Sequence, residues 1–551
     1  MTRVDSSVLI AGGGPVGLGL AIELGLQGID CLVVERRDGT VPLPKANSLS
    51  IKLMEINRRW GIARRVDAAG WPATHPNDYV YCTSMTGYEL ARQRVPSVAA
   101  RGEIAYSPEH ALGCTQLYFD PILLARAREL PGVDVRHFTQ LESFNQDAER
   151  VTARLVDAKS GQMQIVNCKY LVGCDGAGSM VAATIGAKPE GFGLVSNSIN
   201  IFFRSSALPG LHDKGWARFY RYTDAAGSWG ELIAVDGGEL WRLTVFNDDL
   251  AKDAYTIDAD AYVRRLAGRD FDHDVLSVLP WERREHVVDR YRLGRVFLAG
   301  DSAHQNSPTG ALGMHTGLGD AVDLGWKLAA VLKGWGGEAL LDSYQIERKP
   351  VAMTNVAVAT AEYNILAGLP GGAEIDADTQ AGAALRRRFA EVFARARRDS
   401  PSVVTDNLRL NYGYDSSPMI VPDGSAPVAL DDAQFRVVAR AGVRAPHGWI
   451  APGCSTLDLF GKGFVLLRSG KADTGGIEDA ARKRAVPLAV VALPEEKFAT
   501  LYGCALTLVR PDGHIAWHGD ASPDDPLALI DRVRGATAHA TKPATEDALH
   551  A

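Results

Sequence analysis

Val8-Leu9-Ile10-Ala11-Gly12-Gly13-Gly14-Pro15-Val16-Gly17 is the stretch on which the reading of this chain turns. Val8 to Ala11 is a short apolar run suited to a strand buried on both faces. Gly12, Gly14 and Gly17 then keep the G-x-G-x-x-G spacing. The first glycine makes a tight turn, the second lets backbone approach a pyrophosphate, and the third permits close helix–strand packing. Gly17 to Leu26 is helical in pattern, so a helix start would offer its N–H groups to phosphates. A second apolar run, Cys31-Leu32-Val33-Val34, ends in Glu35, placed to accept hydrogen bonds from a ribose diol. A surface glycine loop is the plain alternative. Strand, glycines, helix, strand and acid in the right order argue against it.

Two later stretches belong with the first. Asp175-Gly176 lies in the middle of the chain, and Gly300-Asp301 is followed by Pro308-Thr309-Gly310. Each alone is weak, because glycine-rich turns are common. Their order and spacing together point to a flavin enzyme that reduces and then oxidises noncovalent FAD in one site.

Composition sets the outer bounds. With 551 residues the chain is too long for a single core, and about three domains are expected. It is 46% hydrophobic and 23% charged, an ordinary globular composition. A formal charge of −7 leaves no basic footprint for nucleic acid. The seven cysteines are scattered with no C-x-x-C pair, which suits a reducing cytoplasm. Val8 to Gly28 is apolar enough to imitate a signal or membrane segment. Its glycines, Glu23 and Gln27 fit strand–turn–helix better, so neither targeting nor a membrane is expected.

Along the chain, Ser198–Arg204, Ala217–Tyr222, Glu231–Val235 and Leu240–Phe246 read as successive strands of a mixed or antiparallel sheet. That sheet is inserted between pieces of the nucleotide domain, to which the buried strand Arg295–Ala299 returns. Leu318–Leu332, Val351–Leu366 and Thr379–Arg398 are helical in period. Leu385–Asp399, rich in charge, reads as a solvated face. Tyr412–Ala429 has loop composition, and beyond it strands at Phe464–Leu467, Leu488–Val491 and Leu506–Val509 alternate with helices in a small α/β domain. The expected architecture is α/β: a Rossmann-like FAD-binding domain in three pieces (1–75, 111–190, 291–345), a substrate domain (76–110, 191–290), a helical connector (346–411) and a C-terminal domain (412–551).

The chain resembles the class A flavoprotein aromatic hydroxylases, which have the p-hydroxybenzoate hydroxylase fold. Within them it is most similar to the phenol branch that includes 2-hydroxybiphenyl 3-monooxygenase and 2,4-dichlorophenol 6-monooxygenase. Besides the three glycine stretches, the resemblance rests on Gln116-Leu117-Tyr118-Phe119-Asp120-Pro121, Ser198-Ile199-Asn200-Ile201 and Leu341-Asp342-Ser343-Tyr344. In the tail it rests on Ser455-Thr456-Leu457-Asp458-Leu459 and Leu508-Val509-Arg510-Pro511-Asp512-Gly513, which resemble the thioredoxin-like domain of these enzymes.

The resemblance implies a role for particular residues. Gly12, Gly14, Pro15, Val16 and Gly17 would form the phosphate turn. Glu35 would hold the adenosine ribose with Arg36 beside it. Lys45 stands where arginine is usual, keeping a cation but losing its planar fork. Gln116 would reach the FAD backbone, Asp175-Gly176 would serve FAD and NAD(P)H, and Gly300-Asp301 would bind the ribityl chain. The arginine often found seven residues after that first aspartate is Ala182 here. Pro308 to Gly317 would line the isoalloxazine, with Pro308 and Gly310 in the loop and the N–H groups of Gly313, Met314 and His315 at the flavin O2 edge. Ala311 and His315 replace a glycine and an asparagine common in this loop. His304 reads as structural.

The reaction implied is NAD(P)H- and O2-dependent hydroxylation of a phenolic ring, ortho to a hydroxyl, through a flavin C4a-hydroperoxide. The substrate is a small aromatic molecule, with hydroxylation of a polycyclic polyketide as the alternative. No metal is expected, and a homodimer is compatible with the sequence. Related phenol hydroxylases carry a histidine and an aspartate where this chain has Asn47 and Gly113. Tyr220 and Tyr222 are the candidate bases, with His315 a third titratable candidate beside the flavin; core or surface aromatics are the alternative for the tyrosines. Phe219, Trp229 and Trp241 read as pocket wall or core. A pyridine-nucleotide–disulfide reductase lacks its C-x-x-C here, and a flavin halogenase lacks its W-x-W-x-I-P. A flavin-binding regulator stays open, and NAD(P)H oxidation on adding substrate would separate it from an enzyme.

Overall fold

A computed structural model describes residues 5–43, 45–246, 256–399 and 405–536. Parts of the expected segments 1–75, 191–290, 346–411 and 412–551 lie outside the described residues. The chain divides into two units. The first comprises Met1–Val322, Lys349–Tyr412 and Val428–Val437; the second comprises Asp323–Arg348, Gly413–Pro427 and Val438–Ala551.

In the first unit, β1 (Ser6–Ala11) leads into α1 (Pro15–Leu26) and then β2 (Cys31–Val34). The helix begins two residues before the expected Gly17, because Pro15 occupies the first helical position, where its missing N–H costs nothing. β1 lies parallel between β2 and the strand Met163–Gly173, with Leu9 opposite Leu32 on one side and Leu171 on the other. Val296–Leu298 adds a further parallel strand, placing Leu298 opposite Gly173. Val8, Leu9, Ile10, Leu171 and Val172 are fully buried, as apolar runs covered on both faces require. Parallel strands end at one edge. Ala11, Gly173 and Leu298 are therefore neighbours in register, and the residues that follow each emerge side by side.

The inserted sheet has eight strands. In spatial order they are His304–Gln305, Asp274–Val288, Pro189–Arg204, Leu240–Phe246, Gly227–Ala234, Phe219–Asp224, Tyr79–Cys82 and Glu89–Gln93. All pairs are antiparallel except Phe219–Asp224 with Tyr79–Cys82, so the sheet is mixed, as expected. Two strands run well beyond the sequence reading. Pro189–Arg204 begins nine residues before Ser198, and its partner Asp274–Val288 has no apolar alternation to betray it. That partner carries Pro280, Glu282, Arg283, Arg284 and Glu285. It tolerates the proline because its far side is paired only at His286 and Val287, leaving position 280 on an open edge.

The helices expected at 318–332, 351–366 and 379–398 are Gly313–Leu332, Glu338–Ala367 and Gln380–Asp399. Pro350 sits inside the second and hides its N-terminal half from a periodicity reading. None of the described helices is long and apolar enough to cross a membrane.

The second unit contains a four-stranded sheet ordered Leu488–Leu493, Phe464–Ser469, Leu506–Val509 and Ile515–Gly519. The first pair is parallel and the other two antiparallel, with helices Gly475–Lys483, Glu495–Tyr502 and Pro526–Val533 between and after them. This β-α-β-α-β-β-α order is thioredoxin-like. Its Arg510-Pro511-Asp512-Gly513 turn has a structural purpose. Arg510 grips Glu347 with two bonds of 2.8 Å and reaches Asp323 at 3.0 Å and Asp512 at 2.6 Å. Lys327 adds bonds of 2.8 and 2.6 Å to Asp323 and Glu347. Burial alone would raise all three acids, yet Arg510 and Lys327 hold Glu347, and Arg510 with His514 holds Asp512, below the usual carboxylate range. Burial prevails at Asp323, which is pushed up.

Candidate active site

The three glycine stretches meet in space. Gly12, at φ +114, lies so close to Cys174 that a Cβ would overlap the Cys174 carbonyl. Gly17 is closed against the Gly12 carbonyl in the same way. Val16 reaches the third stretch: Cβ atoms at Gly300 and Gly317 would stand 2.9 and 2.6 Å from its Cγ2. Gly14 differs, since nothing lies within 4 Å of its Cβ position. The first intrahelical bond of α1 is Leu18 N–H to Gly14 C=O at 3.0 Å, so the N–H groups before it are left for another acceptor.

Glu35 ends β2 with both oxygens engaged, one accepting from Gly13 N–H and one from Arg37 N–H, each at 2.9 Å. Gly13 was not singled out in the sequence, yet a Cβ there would stand 2.8 Å from the Glu35 Cβ. Arg36 and Lys45 are exposed. The Gln116 side chain is committed within the protein: its oxygen accepts from Lys45 and Ala46 N–H at 3.0 Å, and its amide donates to Asp120 at 3.4 Å. It therefore fixes the 45–46 segment. Burial pushes the Asp120 carboxyl up to about 7, with the Gln116 bond opposing.

Asp175 accepts from Ser179 Oγ at 2.5 Å and Val181 N–H at 3.1 Å, bonds that tie down the start of a short helix, while Gly176 beside it adopts φ +83. Gly300, at φ +64, donates its N–H to Asp320 at 3.1 Å, and the same carboxylate oxygen lies 2.7 Å from His304 Nε2. His304 and Asp320 thus anchor the turn that presents the exposed Asp301. Asp320 escaped sequence reading because it sits on a different element, with nothing local to mark it.

Pro308 to Gly310 forms a turn with Gly310 at φ +82 and Ala311 at φ +55, a left-handed position that explains why glycine is usual there. Arg409 donates to Gly310 C=O at 3.2 Å and supports the loop from outside. Helix bonding starts at Thr316 N–H to Leu312 C=O, 2.9 Å, which places the N–H groups of Gly313, Met314 and His315 in the first turn of the helix. The His315 ring is buried, with Nδ1 3.0 Å from Ser50 Oγ. Its side chain is a structural tie, and only its backbone belongs to the helix start.

The tyrosine assignment needs correction. Alternation along Phe219–Asp224 sends Tyr220 and Tyr222 to the core face, among Ile201, Trp241 and Leu243. Tyr220 Oη accepts from Ala217 N–H at 2.9 Å and donates to Gly215 C=O at 2.7 Å. Burial raises both phenols above their ordinary value, so neither is a phenolate able to take a proton. Trp229 and Trp241 are core as well. The opposite face carries a row of paired positions running Tyr79, Phe219, Ile233, Arg242, Phe202. Tyr79 and Phe219 stack at 4.3 Å, and Arg242 donates to Lys45 C=O at 2.9 Å. This row, not the tyrosines, faces the 45–47 segment.

Comparison with known proteins agrees with this geometry. An FAD-binding-domain family model matches residues 5–359, and one for the C-terminal domain of aromatic-ring hydroxylases matches residues 439–539. The chain belongs to the FAD-dependent aromatic-ring hydroxylases, enzymes that use FAD with NAD(P)H as co-substrate. It is 34% identical to 4-methyl-5-nitrocatechol 5-monooxygenase of Burkholderia sp, over 96% of this chain and 97% of that one. It is 32% identical to tetracenomycin B2 monooxygenase-dioxygenase of Streptomyces olivaceus, covering 97% and 98%. Among solved structures, the rebeccamycin biosynthetic enzyme RebC with reduced flavin matches at a TM-score of 0.89 and 37% identity, covering 97% and 99%.

The residues present fit FAD. Gly14 has open space at a helix start, Glu35 keeps spare lone pairs beside Gly13, and Asp301 is exposed beside the same strand ends.

Proposed function

We propose that the protein hydroxylates a phenolic aromatic ring ortho to an existing hydroxyl. The supporting observation is the meeting of three strand ends with the Gly313 helix start. Together they offer a pyrophosphate turn, an acid for the ribityl chain and helix-start amides to one ligand. Bound FAD, reduced by NAD(P)H, supplies the oxygen-activating chemistry. The chain's own residues do the rest. Gly14 and α1 hold the pyrophosphate, Glu35 the adenosine ribose and Asp301 the ribityl hydroxyls. The N–H groups of Gly313, Met314 and His315 meet negative charge at the flavin O2 edge. Asp175-Gly176, Lys45 and Gln116 position the surrounding backbone. The row Tyr79, Phe219 and Phe202 provides an apolar wall that keeps water from the ring.

A second reading, hydroxylation of a polycyclic aromatic, is supported by the likeness to a tetracenomycin B2 enzyme and to RebC. One experiment tests both: phenols and polycyclic phenols are screened for stimulated NADPH consumption under labelled dioxygen, with product mass recorded. One labelled oxygen ortho to the hydroxyl is expected. Oxygen derived from water would remove the reading, and the productive ring size decides between the two substrates.

A further inference from the structure

Arg218 stands out among the buried groups. It is 2% exposed, and two of its three guanidinium nitrogens, Nε and Nη1, have no hydrogen-bond partner among the described residues. The third, Nη2, donates to the Asn47 carbonyl. No carboxylate pairs with it among the described residues. Burial pushes this guanidinium down to about 10, helped by the like charge of Arg242, while the opposing groups, Tyr79 and Cys114, are both uncharged at neutral pH. A buried, unpaired cation is costly, so a protein that keeps one is holding it for a partner that arrives later.

Its surroundings are shaped to keep it there. The guanidinium lies 4.9 Å above the Trp71 ring. A Cβ at Gly113 would overlap Arg218 Nη1 and stand 2.7 Å from the Trp71 Cβ, so any larger residue at 113 would exclude the guanidinium. Asn47 Oδ1 is a second buried polar atom without a partner, in the residue whose carbonyl Arg218 already grips. The segment is tied to the rest of the site: Gln116 holds Lys45 and Ala46, Gly113 pairs with Ser48, and Ser50 meets His315. Donor and acceptor thus lie together between the apolar wall and the flavin-loop helix.

We propose that Arg218 receives an anionic oxygen of the aromatic substrate, with Asn47 Oδ1 accepting a hydrogen bond from a neighbouring hydroxyl. The substrate class is then an acidic aromatic carrying an ionised hydroxyl or a carboxylate. For an ionised hydroxyl, a fixed cation favours loss of the phenolic proton to solvent, so no side-chain base is needed at positions 47 and 113. This inference rests on the aromatic-hydroxylase reading and deepens it.

The test uses the FAD-loaded protein and three probes of one shape: alizarin, whose colour reports ionisation, anthraquinone-2-carboxylate, and neutral anthraquinone. Binding is followed by tryptophan fluorescence, since Trp71 lies beneath Arg218, and by alizarin absorbance. The wild type should bind at least one anion about 10- to 100-fold more tightly than anthraquinone, the range expected for a bond to a charged group. Which anion wins identifies the source of the charge. Arg218→Gln should abolish that preference and Arg218→Lys should retain part of it. Gly113→Ala, which leaves the charge but displaces it, should weaken the preference and keeps the test open should Arg218→Gln fail to fold. Equal affinity for all three probes, or an undiminished preference in folded Arg218→Gln or Gly113→Ala, overturns the proposal. Failure of the labelled-oxygen experiment with anion preference intact would instead indict the hydroxylase reading alone.

Discussion

Asp301, Tyr220 and Asp120 show how differently a polar side chain can serve the same site. Asp301 is exposed beside the strand ends, and Asp301→Ala removes the acceptor for ribityl hydroxyls. FAD should bind roughly 10- to 100-fold more weakly, because an unpaired buried donor costs about 1–3 kcal/mol. The check is the flavin retained through gel filtration. Tyr220 is a core strut, so Tyr220→Phe should lower stability by about 1–2 kcal/mol through its two lost hydrogen bonds. Product per NADPH should not change; marked hydrogen peroxide release would restore it as a base. Asp120, pushed up to about 7, ionises only at a cost in the folded state. Its unfolded value is about 3.9, so the folded protein holds the proton more tightly, and stability falls as pH rises from about 4 to 7. Asp120→Asn should be near neutral at pH 5 and raise the melting temperature at pH 8. Equal effects at both pH values would contradict this.

Elements place these groups. β1, its turn and α1 form one device in which each glycine has a separate duty. Gly17→Ala would drive a methyl into the Gly12 carbonyl, and the strand–helix packing should fail, with little folded protein recovered. Gly14→Ala meets nothing in the protein, and its φ of −75 suits alanine. It should fold normally, seen by circular dichroism, yet bind FAD weakly because the methyl occupies the pyrophosphate's approach. If Gly14→Ala stays fully yellow, the phosphate turn has been misplaced. On the inserted sheet, period-2 alternation decides which residues can touch a substrate. One residue's shift along Phe219–Asp224 separates Tyr220 in the core from Phe219 on the wall.

At the scale of the molecule, each unit is organised around its own buried features. The second unit has an apolar core that includes Trp326, Trp335 and Phe464, and a charge cluster closed by Arg510. Arg510→Met leaves Lys327 alone against three acids. Loss of one partner from a buried ion cluster costs about 3–5 kcal/mol. The variant should unfold at distinctly lower urea by circular dichroism. An unchanged midpoint would mean that water already screens the cluster.

What the sequence determined by itself was what local spacing can carry. Three glycine stretches, the apolar strands before them and Glu35 were legible because each depends on neighbours within a few residues, and FAD followed from their order. The α/β class, the mixed sheet and a small α/β tail were legible for the same reason, while the thioredoxin-like character of the tail came from the family resemblance. Only the tertiary structure decided the rest. Parallel pairing brought Ala11, Gly173 and Leu298 to one edge, and Asp320 came to support Gly300 from another element. Strand Asp274–Val288 stayed hidden because its charges and Pro280 suit an open edge rather than an apolar alternation. The face of the inserted sheet was decided by pleat and register, which reversed the reading of Tyr220 and Tyr222. Arg218 became visible only when folding set it over Trp71 and against Gly113, since a cation's lack of a partner is a property of space and not of sequence.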